Sequence, residues 1–219
     1  MRRRQYDLIV FDWDGTLFDS TALIVRSIQA ASRDLGVATP SDQDAAYVIG
    51  LGLQEALQHA VPGLAEERYP ELVLRYRHHY FKDQHAITLF DGVPELLEAL
   101  RERQHSLAVA TGKSRRGLDE ALQISALNRY FDATRTADET RSKPHPQMLQ
   151  ELMAELGVEP ERTLMIGDTT HDLQLASNAG AASVAVSYGA HEIEQLHEHA
   201  PRHVAHSVAE LRSWLLQHG

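Results

Sequence analysis

The sequence predicts an α/β fold: a parallel β-sheet with helices on both faces and a separate all-helical segment inserted after the first strand. Three observations predict it. Short β-branched and apolar runs alternate with helical patterns of ~10–15 residues, as in successive βαβ units. The strand runs are apolar throughout, which suits a sheet covered on both faces. Between residues 18 and 85 the strand signal disappears and only helical periodicity remains.

In chain order, residues 7–11 (DLIVF) form the first strand. The helical segment follows. Asp19 or Ser20 can cap a helix on which Ile24, Ile28, Ala31 and Leu35 share a face, and Gly36 ends it. A short helix spans 53–60, between Gly52 and Pro62-Gly63, and a longer one carries Tyr69, Leu72, Val73, Tyr76 and Tyr80 on one stripe. The alternation then resumes, with strands at 107–110 (LAVA), 163–166 (TLMI) and 183–186 (SVAV) and weaker ones at 130–133 and 203–205. Helices are expected at 93–103, 114–123, 146–156, 171–179, 193–197 and 208–216. The expected domains are a Rossmann-like core, residues 1–17 joined with 86–219, and a helical cap, residues 18–85. The hinges fall just after Leu17 and around residues 87–90. In such sheets ligands bind outside the carboxyl ends of the strands.

Composition narrows the function. The chain of 219 residues is 43% apolar and 24% charged, the balance of a globular protein. No run approaches the ~18 apolar residues needed to cross a bilayer. The apolar run after Met1-Arg2-Arg3-Arg4 is short and ends in Asp12 and Asp14, so it does not read as a signal peptide. With no cysteine there is no disulfide framework, thiol nucleophile or zinc–thiolate site. These facts lead to the expectation of a cytoplasmic protein with no membrane partner, and the net charge of −10 argues against nucleic acid as a partner. A small anionic substrate remains compatible, since a bound cation reverses the local sign.

The chemistry-bearing residues stand at strand ends. In Phe11-Asp12-Trp13-Asp14-Gly15-Thr16, residues two apart point the same way, so Asp12 and Asp14 project together before a glycine turn. Two carboxylates 4 Å apart repel by roughly 4 kcal/mol at an effective dielectric of 20, which calls for a cation or a shared proton; two ordinary turn acids are the plainer reading. The strand ending at Ile166 runs through Gly167 into Asp168, with Asp172 one helical turn on. Carboxylates of this kind suit Mg²⁺, and Asp172 also reads as a helix cap. Thr111-Gly112 at another strand end offers a hydroxyl and free N–H groups at a helix start, a natural phosphate cradle. Lysine occurs only at Lys82, Lys113 and Lys143, beside 18 arginines, so Lys143 before a helix suggests a need for a compact point charge. Incidental surface lysine stays open for Lys113 and is the better reading of Lys82.

Taken in order, these residues resemble the motifs of the haloacid dehalogenase superfamily, in its helical-cap phosphatase branch and most nearly its phosphoglycolate phosphatases. FDWDGT resembles the first motif, DxDG[TS]. Thr111 matches the second motif, Lys143 the third, and Gly167-Asp168-x-x-x-Asp172 the fourth, with residues 18–85 in the place of the cap. The resemblance implies that Asp12 is the nucleophile, forming an aspartyl-phosphate, and that Asp14 protonates the leaving alcohol and then activates water. It further implies that Asp12, Asp168 and the Asp14 carbonyl hold Mg²⁺, that Thr111 and Gly112 bind phosphate oxygens, that Lys143 offsets charge, and that Asp172 supports Lys143 or a metal water. The implied activity is Mg²⁺-dependent hydrolysis of a small phosphorylated metabolite by a monomer or homodimer. Four carboxylates against Mg²⁺ and Lys143 leave one negative charge over, which would keep a proton on Asp14.

Asp14 separates this reading from the family's dehalogenases, which need no acid two residues after the nucleophile. Lys82 is the cap's one candidate for the Schiff-base lysine of the phosphonate hydrolases. A sugar-phosphate mutase and a non-catalytic phosphate-binding regulatory module are the alternatives. Substrate selection is expected from residues 17–20, residues 50–53 and Arg75-Tyr76-Arg77, whose arginines either pair a substrate carboxylate or form a solvated face. Nearly all of the 13 histidines read as solvated surface; His171, inside the fourth motif, has a second reading as a residue flanking the site entrance, with the surface reading preferred, and the Tyr69/Tyr76/Tyr80 stripe reads as cap core.

Overall fold

A computed structural model describes residues 4–219; Met1–Arg3, the start of the charged N-terminal run, lie outside the described residues. Six parallel strands form one sheet in the order β3-β2-β1-β4-β5-β6. They are β1 (Leu8–Phe11), β2 (Ser106–Thr111), β3 (Ala133–Thr136), β4 (Thr163–Gly167), β5 (Ala182–Val186) and β6 (Val204–Ala205). Phe11 pairs with Val109 on one side and Ile166 on the other, so β1 lies between β2 and β4. The strand order reverses at β1, and the carboxyl ends there open a crevice of the kind that binds ligands.

The apolar strands serve two faces at once. Ile9 and Phe11 of β1 pack into one cluster, with helices α5 (Val93–Glu102), α6 (Arg115–Ser125) and α10 (Val208–His218). Leu8 and Val10 pack into another, with α7 (Gln147–Leu156) and α8 (Thr170–Asn178). Alternate side chains of β1 thus face opposite layers, and all four of its residues are apolar. The short α9 (Ile193–His197) packs with the β5–β6 edge through Leu196.

Helices α1 (Thr21–Asp34), α2 (Asp42–Tyr47), α3 (Leu53–Ala60) and α4 (Tyr69–Asp83) share an apolar cluster of their own, built on Ile24, Ile28, Leu57, Leu72 and Tyr69. The chain enters and leaves this segment along two adjacent stretches. Asp19 N–H donates to the Thr88 carbonyl at 2.9 Å, and Phe90 N–H to the Leu17 carbonyl at 3.0 Å.

Two elements differ from expectation. The strand expected at 130–133 lies at Ala133–Thr136, preceded by a 3₁₀ turn at Asn128–Tyr130. Tyr130 is a buried anchor rather than a strand residue. Asp132 sets the start of the strand, since its N–H donates to the Leu107 carbonyl and its carboxylate accepts from Arg101 and the Leu107 N–H. Helix α2 has no counterpart in the sequence reading, because its six residues bury only Ala45 and show no apolar stripe.

Candidate active site

Asp12 leaves β1 with its N–H bonded to the Ile166 carbonyl at 2.9 Å, which fastens it to β4. Trp13 turns into the core and stacks on Phe18, so its neighbours Asp12 and Asp14 face the crevice. Gly15 (φ +83°) completes the turn, and a Cβ there would collide with the Asp168 carboxylate, as would one on Gly189. Both positions must be glycine for Asp168 to reach the crevice.

Asp12, Lys143, Asp168 and Asp172 are brought together and almost wholly buried. Lys143 Nζ lies 2.7 Å from Asp12 Oδ1 and 2.6 Å from Asp172 Oδ1. Burial alone would pull the Lys143 ammonium down; the two carboxylates outweigh it and hold the lysine protonated, above its ordinary range. Asp172 Oδ2 accepts from the Thr169 N–H at 3.1 Å and hydroxyl at 2.7 Å, in a capping box at the start of α8. Asp172 is therefore both a helix cap and the anchor of Lys143. Burial pushes the Asp12 carboxyl well above the usual range; Lys143 pulls it back, and Asp172 and Asp168 push it further. Asp168 is pushed up to about 7 by burial and by Asp172, although it accepts from the Thr16 hydroxyl (2.7 Å) and the Ala190 N–H (2.8 Å).

Carboxylate oxygens of Asp12, Asp168 and Asp172 all lie within 4.8 Å of one another. Lys143 and Thr169 occupy those of Asp172. Among the described residues Asp12 Oδ1 meets only the Lys143 ammonium, Asp12 Oδ2 has no partner, and no hydrogen bond reaches the Asp14 carbonyl. A buried carboxylate with one free oxygen beside a second carboxylate, with hard oxygen donors only, fits Mg²⁺.

Asp14 stands at the edge of this group and is held by two residues that sequence reading did not assign to it. Ser20, at the N-cap of α1, caps nothing with its side chain; its hydroxyl donates to Asp14 Oδ1 at 2.7 Å. Lys113 is no surface lysine: its side chain is 14% exposed and its Nζ lies 3.0 Å from Asp14 Oδ2. It brings the positive charge to equality with the four carboxylates once Mg²⁺ is counted. Charge balance therefore calls for a proton on Asp14 only when a phosphate dianion adds its own charge to the pocket. Thr111, at the end of β2, is buried, and its hydroxyl accepts the Lys113 N–H at 3.2 Å. Gly112 lies under the loop at residues 50–51 of the inserted segment: a Cβ would collide with the Leu51 carbonyl and stand 2.6 Å from that of Gly50.

In the inserted segment the structure decides one open reading, that of the arginines, and departs from expectation at the tyrosine stripe; three histidines outside the segment depart as well. Arg75 and Arg77 are exposed, and Tyr76 and Tyr80 face inward instead. The tyrosine stripe divides: Tyr69 is core of the inserted segment, its hydroxyl on the Val61 carbonyl, whereas Tyr80 accepts from Lys113 Nζ at 3.1 Å. His105, His171 and His191 are buried, not solvated. His191 Nδ1 accepts the Thr170 N–H at 3.0 Å, so its Nε2 carries the proton and donates to the Tyr47 carbonyl at 3.0 Å. His171 Nε2 meets the same carbonyl at 2.8 Å. Burial lowers both, His191 to about 4, which keeps both neutral. These contacts join residues 124 and 144 positions apart, and no local pattern signals them.

Residues 9–186 match the family model of the haloacid dehalogenase-like hydrolases. A 5′-nucleotidase of Pseudomonas aeruginosa is 36% identical over 216 residues, covering 98% of this chain and 97% of that protein. The pyrophosphatase PpaX of Halalkalibacterium halodurans is 29% identical over 209 residues, with 94% and 95% covered. A crystal structure described as a predicted phosphoglycolate phosphatase from Haemophilus somnus superposes with a TM-score of 0.85 at 27% identity, covering 96% of this chain and 98% of that one.

Proposed function

The chain belongs to the haloacid dehalogenase-like hydrolases, and from that premise we propose that it is a Mg²⁺-dependent phosphatase acting on small phosphorylated metabolites through an aspartyl-phosphate. One observation carries the reading. Asp12 is a buried carboxylate whose Oδ1 meets the Lys143 ammonium at 2.7 Å and whose Oδ2 has no partner, set beside Asp168. Such a group is a poor structural element and a good nucleophile.

Asp12 and Asp168, with the Asp14 carbonyl, would hold Mg²⁺, which supplies charge neutralisation for the phosphoryl oxygens. In the first step an Asp12 oxygen bonds to phosphorus as the bond to the leaving oxygen breaks, and a proton held by Asp14 passes to that oxygen. In the second, Asp14 takes a proton from water as the water attacks phosphorus, which releases phosphate and restores the Asp12 carboxylate. Lys143, fixed by Asp172, neutralises charge on the nucleophile and the transferred group. Thr111 and Gly112 hold the phosphoryl oxygens. Phosphoryl transfer rests on positioning and electrostatics, which these residues supply.

Residues 18–85 act as a cap over the pocket. The Tyr47 carbonyl held by His171 and His191, and the Gly52 N–H donated to Ser142 Oγ at 2.9 Å, support a closed arrangement that must open for exchange. A chain without cysteine needs no oxidising compartment, which fits a cytoplasmic enzyme. The relatives' names share phosphate as the released group. The test is hydrolysis of an aryl phosphate and a panel of phosphorylated metabolites with and without Mg²⁺. Turnover that requires Mg²⁺ is expected; no turnover of any compound would mark a binding module instead.

A further inference from the structure

Lys113 is a buried cation that the chemistry above does not use. Lys143 already neutralises the nucleophile from the other side of the pocket, and Asp14 has the Ser20 hydroxyl on its first oxygen. A methionine or glutamine would fill the same space without the desolvation penalty of a charge. Lys113 also sits in a particular direction from Asp14. Its Nζ bridges Asp14 Oδ2 at 3.0 Å and the Tyr80 hydroxyl at 3.1 Å, and it lies 5.2 Å from the Tyr80 ring centroid. Tyr76 stacks on Tyr80 at 5.8 Å, one turn earlier on α4. Asp14 is the group that meets the leaving oxygen, so whatever lies between Asp14 and α4 meets the rest of the leaving group.

That wall is a set of donors. Burial would lower the Lys113 ammonium, yet Asp14 and the two tyrosines outweigh it and hold it charged. Burial also keeps both tyrosine hydroxyls protonated. Among the described residues Asp14 and Tyr80 are the acceptors on Lys113, which leaves the third N–H of its ammonium for a ligand. On the outer side of the same helix Arg75 and Arg77 are exposed.

We propose that Lys113, with the Tyr80 and Tyr76 hydroxyls, reads the leaving group, and that the enzyme selects substrates whose leaving group carries a second negative charge close to the transferred phosphate. This rests on the phosphatase reading and narrows it to one substrate class. Carboxylate and phosphate share the required chemistry. Uncharged alcohols such as nucleosides lack it, and cationic ones are repelled.

The experiment is a matched series assayed with Mg²⁺ on wild type, Lys113→Met and Lys113→Arg. The series is 2-phosphoglycolate, 2-hydroxyethyl phosphate and phosphoethanolamine, which share a two-carbon leaving group of differing charge. Inorganic pyrophosphate is the arm whose leaving group is itself a phosphate, and an aryl phosphate is the control. In wild type kcat/KM should fall in the order anionic, neutral, cationic. In Lys113→Met the ratio of 2-phosphoglycolate to 2-hydroxyethyl phosphate should drop by roughly ten- to hundredfold, the worth of one charge-assisted hydrogen bond, with Lys113→Arg keeping the order. Any general loss of active protein cancels in that ratio. A matching drop for pyrophosphate identifies charge as the feature read; a drop for one anion alone identifies which of the two is read. An unchanged ratio, or a loss equal for all substrates, overturns the proposal. If the aryl phosphate is not turned over either, the phosphatase reading fails and takes this inference with it.

Discussion

The sheet and the inserted helices meet the same pocket with different kinds of group. From the sheet come Asp12, Asp168, Asp172 and Lys143, buried side chains on strand ends or beside them, each braced by another charge or by a helix cap. From the helices come main-chain atoms and tyrosines: the Tyr47 carbonyl, the Gly52 N–H, the backbone over Gly112 and the Tyr80 hydroxyl. A strand end in a packed sheet holds a carboxylate within a few tenths of an ångström, which bond making requires. Neutral hydrogen bonds across a seam are each worth about 1 kcal/mol net, weak enough to break in every catalytic cycle. On the proposed reading, the fixed chemistry comes from the sheet, and selection is shared between Lys113 beside β2 and releasable groups on the inserted helices.

Substitutions on the two sides of the seam should differ most at Asp12. Asp12→Asn is expected to lower kcat by about four orders of magnitude or more, with a melting temperature no lower than wild type, because it removes one of three crowded carboxylates. Steady-state kinetics and thermal unfolding check both. Next comes Lys143→Met, which leaves Asp12 and Asp172 unpaired in the interior. Breaking a buried pair in this way costs about 3–5 kcal/mol, and denaturant unfolding should show it.

The third effect concerns pH. Asp168 is pushed up to about 7, whereas an unfolded Asp titrates near 4. Between those values the native state binds more protons than the unfolded one, so its stability falls as pH rises. The metal-free protein should therefore lose thermal stability from about pH 4 to 7. Stabilisation by added Mg²⁺ should grow over the same interval, and Asp168→Asn should weaken both trends, leaving the part that the raised Asp12 carboxyl contributes.

On the cap side the effects should be smaller. His191→Ala removes one of two bonds on the Tyr47 carbonyl and should shift the closed-to-open ratio about fivefold, visible as faster amide exchange in α2 and α3 with the sheet unchanged. Least of all, Arg75→Ala and Arg77→Ala should leave kcat and KM within error, since both side chains are exposed.

The same division explains what could be read before folding. Asp12 and Asp14 were legible because a two-residue spacing, an apolar run and Gly15 fall within one short window, and period two then dictates that both face one way. Asp168 and Asp172 were legible for a like reason, as a strand end running into a helix start. Lys113 was not, because its meaning comes from Tyr80, a cap residue that only the folded chain lays against it. Ser20 read as a helix cap, and its local context offers no sign that its hydroxyl turns to Asp14 instead. His191 lies in a polar, histidine-rich stretch that reads as surface, yet one ring nitrogen takes the Thr170 N–H and the other grips a carbonyl across the seam. At the sheet edge, the polar ATRT of β3 hides a strand because Arg135 pairs with Glu151 and Glu155 of α7 rather than facing an apolar layer.

Covalent transfer of the phosphoryl group to Asp12 can be tested directly by quenching the enzyme with acid during turnover of a ³²P-labelled substrate and mapping the labelled peptide. Label on the peptide that carries Asp12, absent from Asp12→Asn and discharged by an unlabelled chase, is the expected result. Turnover at full rate with no label on that peptide, or with label on another residue, would contradict it.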